Sequence, residues 1–200
     1  MSAPAAGRRE RTKAANRAAI LEAGRAVFSQ TGYEAASVRD VVRRTDLASG
    51  TFYNYFPDKE AVFLALVEAD AEEARRRVRA ARRRAGTAAE FVENGYRAFF
   101  EYIVEDPDRF AFLRRNLGTL RERFGDAVLP ASTDELAEDL RAAIAAGHVP
   151  PIDVEYCAHS MVAVGLELGE RLAQRTPPDV EGATRFASAL FLGALAVSKA

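Results

Sequence analysis

"LASGTFYNYFPDKE", residues Leu47 to Glu60, sets four aromatic side chains within five positions, beside a glycine and ahead of a proline and a lysine. On a helix, residues three or four apart share a face. Phe52 and Phe56 therefore lie together, with Leu47 near them. Tyr53 and Asn54 point elsewhere, and Tyr55 falls between. One core cannot take all four rings, so some of them need another partner.

The residues just upstream supply that partner's geometry. Ser37 with Asp40 three residues on has the form of a capping box, and Val38, Val41 and Val42 give the short helix that follows an apolar face. A helix over Ser37–Arg44, a turn over Thr45–Ala48 and a helix over Ser49–Tyr55 make a helix-turn-helix of ordinary size. In such a motif the second helix enters the major groove while the first crosses the backbone. Phe52, Phe56 and Leu47 then pack on Val41 and Val42, leaving Ser49, Thr51, Tyr53 and Asn54 to meet double-stranded DNA. Gly50 has no side chain to hold the backbone away from a phosphate or base edge. Tyrosine hydroxyls donate to phosphates, and ring edges meet thymine methyls. Lys59 opens the next helix, where its ammonium and the helix amides would share one phosphate.

Working outward, apolar and stop signals predict helices throughout. Ile20, Gly24, Val27 and Phe28 recur at helical spacing over Arg11–Gln30, and Gly32 ends that run. A long helix is expected from Lys59 to about Arg84. Its second half, "EEARRRVRAARRR", reads as a solvated face held by pairs such as Glu72–Arg76 and Glu73–Arg77. Thr87–Glu90 caps a fifth helix to about Glu105, and Asp106–Pro107 opens a sixth. A loop or bend is expected over 118–130. Ser132–Glu135 opens another helix, stopped by Gly147; the last two run over about Asp153–Gln174 and Val180–Ser198.

The stretch "TGYEAASVRDVVRRTDLASGTFYNYFPDKEAVF" resembles the helix-turn-helix signature of the TetR family of bacterial transcription regulators. The likeness runs from about Arg11 to Phe63. It rests on "TGY" closing the first helix, "SVRDVV", "GTFYNYF" and "DKE". Beyond it, the chain matches only in layout. The resemblance implies an all-α, TetR-like fold of about nine helices. Its expected parts are a DNA-binding domain over 1–58, a connecting helix over 59–86, and a ligand-binding and dimerisation domain over 87–200. It implies DNA contacts from Ser37, Ser49, Gly50, Thr51, Tyr53, Asn54, Tyr55 and Lys59. It implies a homodimeric, ligand-responsive repressor released from a palindromic operator. Two positions depart from the pattern. Ala48 stands where serine often caps the recognition helix, so Ser49 is expected to take over the cap. Asp46 stands where glycine is common, and aspartate tolerates left-handed geometry there.

The remaining chain offers candidates for the other two roles. Val164, Leu168, Ala183, Phe186, Ala187, Leu190 and Ala194 are expected in a four-helix dimer interface, with filling of the monomer core as the alternative. Phe99, Phe100, Ile103, Phe110 and Leu113 are expected to line a pocket for a small, mainly apolar or aromatic effector, with Tyr156 and His159 as its polar groups. An acyl chain with an anionic head would need Arg97, Arg114 or Arg115 at the mouth. A DNA-binding architectural protein without an effector is the other reading.

Composition bounds the rest. The net charge of −1 hides a basic head: residues 1–60 hold ten Lys/Arg and seven Asp/Glu. That asymmetry suits a polyanion or a plain solvated surface equally. Charged residues are 28% of the chain, and the longest uncharged apolar run, Phe186–Ser198, is shorter than a bilayer span of about 20 residues, so no membrane role is expected. A single cysteine and a start without a signal-type apolar stretch suit a cytoplasmic protein. His148 and His159 have no metal-ligand spacing. Cys157 and His159 diverge on their helix, which speaks against an enzyme; no cofactor or metal is expected.

Overall fold

The computed structural model describes residues 4–124 and 130–197, without the side chains of 4–7, 107, 117, 120, 121, 123, 124, 130 and 194–197. The described residues are helical and contain no strand. The helices are α1 (Pro4–Thr31), α2 (Val38–Val42), α3 (Ser49–Phe52), α4 (Lys59–Arg82), α5 (Ala88–Glu105), α6 (Pro107–Phe124), α7 (Pro130–Ala145), α8 (Val154–Ala173) and α9 (Val180–Val197). The expected all-α class holds. The bend expected over 118–130 does not begin where it was placed, because α6 runs on to Phe124; residues 125–129 lie outside the described part. The helices form two compact units, one of Met1–Ala69 with Ala111–Arg123, the other of Asp70–Phe110 with Phe124–Ala200.

The first unit, the head, is built around aromatic rings. Phe28, Tyr33, Phe63 and Phe112 form one cluster, with ring centroids 4.7 Å apart for Tyr33–Phe63, 5.4 Å for Phe28–Phe63 and 5.5 Å for Phe63–Phe112. Each such ring, fully buried, stabilises by about 1.5–3 kcal/mol. Gly24 permits the close approach of α1 to α4: a Cβ there would stand 2.6 Å from Val62 Cγ1. Gly32 ends α1 at φ 80°, which a residue with a side chain adopts at a cost. Asn116 closes the same region from far along the chain. It is buried, accepts from the Tyr33 amide at 2.8 Å, and donates to the carbonyl of Phe112 at 2.8 Å and of Phe28 at 3.4 Å.

In the second unit, the body, α5 packs on α8 and α9, α7 packs on α8, and α8 packs on α9. Thr87 caps α5 by accepting from the Glu90 amide at 3.2 Å, while the return bond of the expected capping box shifts by one residue, Glu90 Oε2 accepting from the Gly86 amide at 2.8 Å. Asp153 caps α8 in the same way, accepting from the Tyr156 amide at 3.0 Å. Gly169 lets α8 press on α5, since a Cβ there would collide with Ile103 Cδ1.

The second half of α4 departs from the solvated helix expected of it. Arg75, Val78, Arg79 and Arg82 fall at i, i+3, i+4 and i+7 and form an inward stripe. Arg75 meets Glu135 at 3.3 Å, Arg79 meets Asp139 at 3.2 Å, and Arg82 meets the other Asp139 oxygen at 3.7 Å. Burial pushes the Arg82 guanidinium down to about 10 and the Asp139 carboxyl up, against the attraction between them. Only the outer face is solvated, and there Glu73 holds both Arg76 and Arg77; Arg76 takes Glu73 where Glu72 was expected.

Candidate nucleic-acid interface

The interface is assembled in the head, where local capping fixes α2 first. Ser37 sits in extended backbone and its Oγ accepts from the Asp40 amide at 3.3 Å, while the Ser37 amide donates to Asp40 Oδ2 at 3.0 Å. Both halves of the capping box are therefore made. The hydrogen bonds from the Ser37 side chain and amide hold the Asp40 carboxyl below its ordinary range. The turn after α2 is held by Thr45, whose hydroxyl donates to the Val42 carbonyl at 2.9 Å and accepts from the Leu47 amide at 3.3 Å. Among the described residues no residue other than glycine has positive φ, so Asp46 does not use left-handed geometry. The cap expected from Ser49 is also absent: Ala48 is the N-cap, with no side-chain hydrogen bond, and Ser49 is the first helical residue.

The α-helical part of α3 is one turn, Ser49–Phe52, shorter than the helix read from sequence. Tighter bonds carry the coil onward, from Asn54 to the Thr51 carbonyl at 3.2 Å and from Tyr55 to the Phe52 carbonyl at 2.9 Å. The face assignment agrees with the spacing argument. Phe52 and Phe56 are buried and Leu47 is half-buried. Ser49, Gly50 and Asn54 are exposed, Thr51 is partly so, and Tyr53 is 58% exposed with its ring edge-on to Phe52 at 5.4 Å.

Three of the proposed contacts are engaged elsewhere. The Tyr55 hydroxyl accepts from Asn16 Nδ2 at 3.0 Å, tying α3 to α1. The Ser37 hydroxyl is committed to its cap. Lys59 donates to the carbonyls of Tyr33 at 2.8 Å, Glu34 at 3.2 Å and Ala36 at 2.9 Å, and lies 4.4 Å over the Tyr33 ring. An ammonium has three donors, so Lys59 clamps the 33–36 turn here, and a phosphate contact from it would displace one of these carbonyls.

Sequence reading overlooked the flank of this face. A groove of about 590 Å³ is lined by Arg8, Arg9, Thr12 and Lys13 of α1 with Asn54 and Tyr55. The signal was present in the run "RRERTK", which was read only as part of a weak charge asymmetry.

The body candidates do not converge as expected. Phe100, Ile103 and Phe110 are buried in its core cluster, with Phe99 packed against it, but Leu113 belongs to the head. Tyr156 is 76% exposed, and His159 is exposed with Nδ1 against the Glu155 carbonyl, because both lie on the outer side of α8. The buried hydroxyls of the body without a hydrogen-bond partner are instead Thr184 and Ser188 on α9, among the described residues. Arg97, one candidate for an anionic head, is paired with Glu181 and Glu93. On the dimer side, Phe186 and Leu190 are exposed, while Val164, Leu168 and Ala183 are half-buried against the core. Ala187 is fully buried and belongs to the monomer core, since it falls on the α9 side facing inward. The side chain of Ala194 lies outside the described residues.

Residues 20–66 match the family model of bacterial regulatory proteins of the tetR family. The HTH-type transcriptional repressor AcnR of Corynebacterium efficiens is 36% identical over 98 residues, covering 49% of this chain and 45% of that protein. AcnR of Corynebacterium glutamicum is 33% identical over 116 residues, covering 58% and 55%. The chain thus spans about half the length of the curated relatives it matches. Across nearly its whole length it shares the fold of the fatty acid degradation regulator FadR from Bacillus halodurans, at TM-score 0.74, 21% identity, and 88% and 94% coverage. It shares that of the regulator PfmR from Thermus thermophilus at TM-score 0.67, 18% identity, and 85% and 95% coverage.

Proposed function

We propose that this chain, whose residues 20–66 match the family model of bacterial regulatory proteins of the tetR family, is a homodimeric, DNA-binding transcriptional repressor of that family. The observation that carries the reading is the division of the α3 aromatics. Phe52 and Phe56 anchor the helix inside, while Tyr53 and Asn54 stand in solvent beside Ser49 and Gly50. A one-turn helix that buries two rings and shows a third to water is built to present that ring. The exposed face reads base edges and phosphates in the major groove, and two copies sit about 34–36 Å apart, or a multiple, to read a palindrome. Lys59 acts at one remove, by fixing the turn that starts α2. The dimer forms through α8 and α9, with Phe186 and Leu190 at its centre and Val164, Leu168 and Ala183 supporting them.

The effector is a small, mainly apolar or aromatic molecule. It opens space among Phe99, Phe100, Ile103 and Phe110, and the unpartnered hydroxyls of Thr184 and Ser188 supply its polar contacts in place of Tyr156 and His159. Its release of DNA follows from binding better to a state whose heads cannot dock, which is a population shift.

Selection of duplexes from a randomised pool, followed by gel-shift titration, tests the core of this reading. A selected site with two-fold symmetry is expected, and Tyr53→Ala weakens it by about 1–3 kcal/mol while leaving random duplex alone. Failure to enrich any sequence, or full affinity in a folded Tyr53→Ala protein, contradicts it. Thermal-shift screening addresses the effector: apolar aromatics raise the melting point of the wild type and raise it less in Thr184→Val. A response only to sugars or nucleotides rules that part out.

A further inference from the structure

The positive charge of the head is not where the recognition helix is. Residues 1–21 hold five Lys/Arg and one Asp/Glu, whereas residues 22–60 hold five against six. The helix-turn-helix itself is therefore close to neutral, and specific contacts from Tyr53 and Asn54 bring no cation with them. Duplex binding draws much of its affinity from cations that displace the counterions of phosphates. Residues 37–55 hold three Lys/Arg and two Asp/Glu, and the densest group of cations in the head lies on α1.

The structure puts them beside the recognition face. Arg8 and Thr12 are four apart, as are Arg9 and Lys13, so all four share one side of α1. That side lines the groove whose opposite wall is Asn54 and Tyr55. Arg8, Arg9 and Lys13 are exposed, and among the described residues none forms an ion pair. Like charges at i, i+4, as at Arg9 and Lys13, destabilise an isolated helix, and the first turn of α1 holds no acid to offset them. Two contacts fix the position of this side. Asn16 donates to the Tyr55 hydroxyl, and the Arg17 guanidinium lies 5.3 Å over the Phe56 ring. Both tie α1 to the segment that carries Asn54.

We propose that Arg8, Arg9 and Lys13 form a phosphate-binding flank for duplex DNA that continues the α3 recognition face past Asn54 and Tyr55. The flank rests on the DNA-binding reading of the head and adds a separate, sequence-independent contact to it. The groove would straddle the backbone next to each half-site. The three cations would supply affinity there; the Thr12 hydroxyl already donates to the Arg8 carbonyl at 3.0 Å.

Fluorescence anisotropy at 50–200 mM KCl tests the flank, using a selected duplex and a random 40 base-pair duplex. The triple variant Arg8→Gln, Arg9→Gln, Lys13→Gln is expected to lower the slope of log K against log salt by about 2–3 on both duplexes. It should weaken both about a hundredfold at 0.1 M salt, with their ratio unchanged. The conservative triple Arg8→Lys, Arg9→Lys, Lys13→Arg should keep the wild-type slope. An unchanged slope in the glutamine variant overturns the flank, and the DNA-binding reading still stands if Tyr53→Ala loses the selected duplex. Loss of the ratio between duplexes overturns it too, because the side chains would then be reading bases. An equal loss of slope on single-stranded RNA of the same length shows a general polyanion surface and overturns the assignment to duplex DNA. A wild-type protein that binds neither duplex fails the underlying reading rather than the flank alone.

Discussion

Tyr53 in the head and Phe186 in the body are equally exposed, at 58% each. The two are nonetheless dressed differently. Tyr53 carries a hydroxyl and stands among Ser49, Gly50 and Asn54, with a cationic groove past the end of the segment. Phe186 has no polar atom, and one helical turn on stands Leu190, 48% exposed, with the small residues Ala189 and Gly193 in the same exposed stretch. A ring with a polar tip and polar neighbours suits a wet, charged partner; a bare ring beside leucine and small residues suits a second apolar surface. On the proposed reading, equal exposure therefore serves two unlike partners, and the neighbours tell them apart.

The sharpest way to break that contrast is Leu190→Arg. Placing a charge in the apolar patch should convert the proposed dimer to monomer at micromolar concentration, as read by analytical ultracentrifugation, and cost most of the affinity for a two-fold site. A variant that stays dimeric would remove Phe186 and Leu190 from the interface. Asp139→Leu probes the opposite habit of the body, which hides charge where the head displays it. It leaves Arg82 facing a hydrocarbon, while Arg79 keeps Glu135 and Glu138, and should lower stability by about 3–5 kcal/mol in urea melts. Lys59→Ala separates two roles within the head. As a clamp, its loss should cost about 1–2 kcal/mol of stability and leave the salt slope of DNA binding unchanged; as a phosphate ligand, it would lower that slope by about one. Ser37→Ala gives the smallest effect, about 1 kcal/mol for a lost helix cap. Its pH dependence has a definite sign. The folded carboxyl of Asp40 titrates below the unfolded value, so the capping contribution is present above about pH 4 and fades as the pH falls through the lower, folded value. Ser37→Ala should therefore flatten the acid limb of the stability curve, measured by thermal melts between pH 2 and 6.

Local signals were legible in the sequence wherever one or two side chains decide the outcome. Ser37 with Asp40, and Thr87, cap the helices expected of them, and Gly32 and Gly147 take the positive φ that a helix stop needs. The inward and outward division of Phe52, Tyr53 and Phe56 followed from spacing alone. What escaped depends on partners distant in the chain. The run at 72–84 looked solvated because charge is solvated by default, and the acids of α7 that meet Arg75 and Arg82 lie far along the chain. Lys59 looked free because its three acceptors are main-chain carbonyls, which leave no mark in a sequence. Tyr156 and His159 looked like pocket residues because polar groups near apolar ones suggest a site. Their positions on the outer side of α8 are set by which of its faces meets α5, and the spacing of Ala158, Met161, Gly165 and Gly169 reports that face more faithfully.

Asn116 bears on how far the head can be transplanted. Its side chain receives the Tyr33 amide and gives to two carbonyls, and its neighbour Phe112 completes the aromatic cluster with Phe28 and Phe63. A chimera that grafts only the opening residues of this protein onto a foreign body would leave both behind. The graft would inherit an amide without an acceptor at the turn before α2 and a gap beside two phenyl rings. The unit that carries the proposed DNA recognition is discontinuous, and swapping specificity between relatives calls for moving the 111–123 segment along with the opening helices.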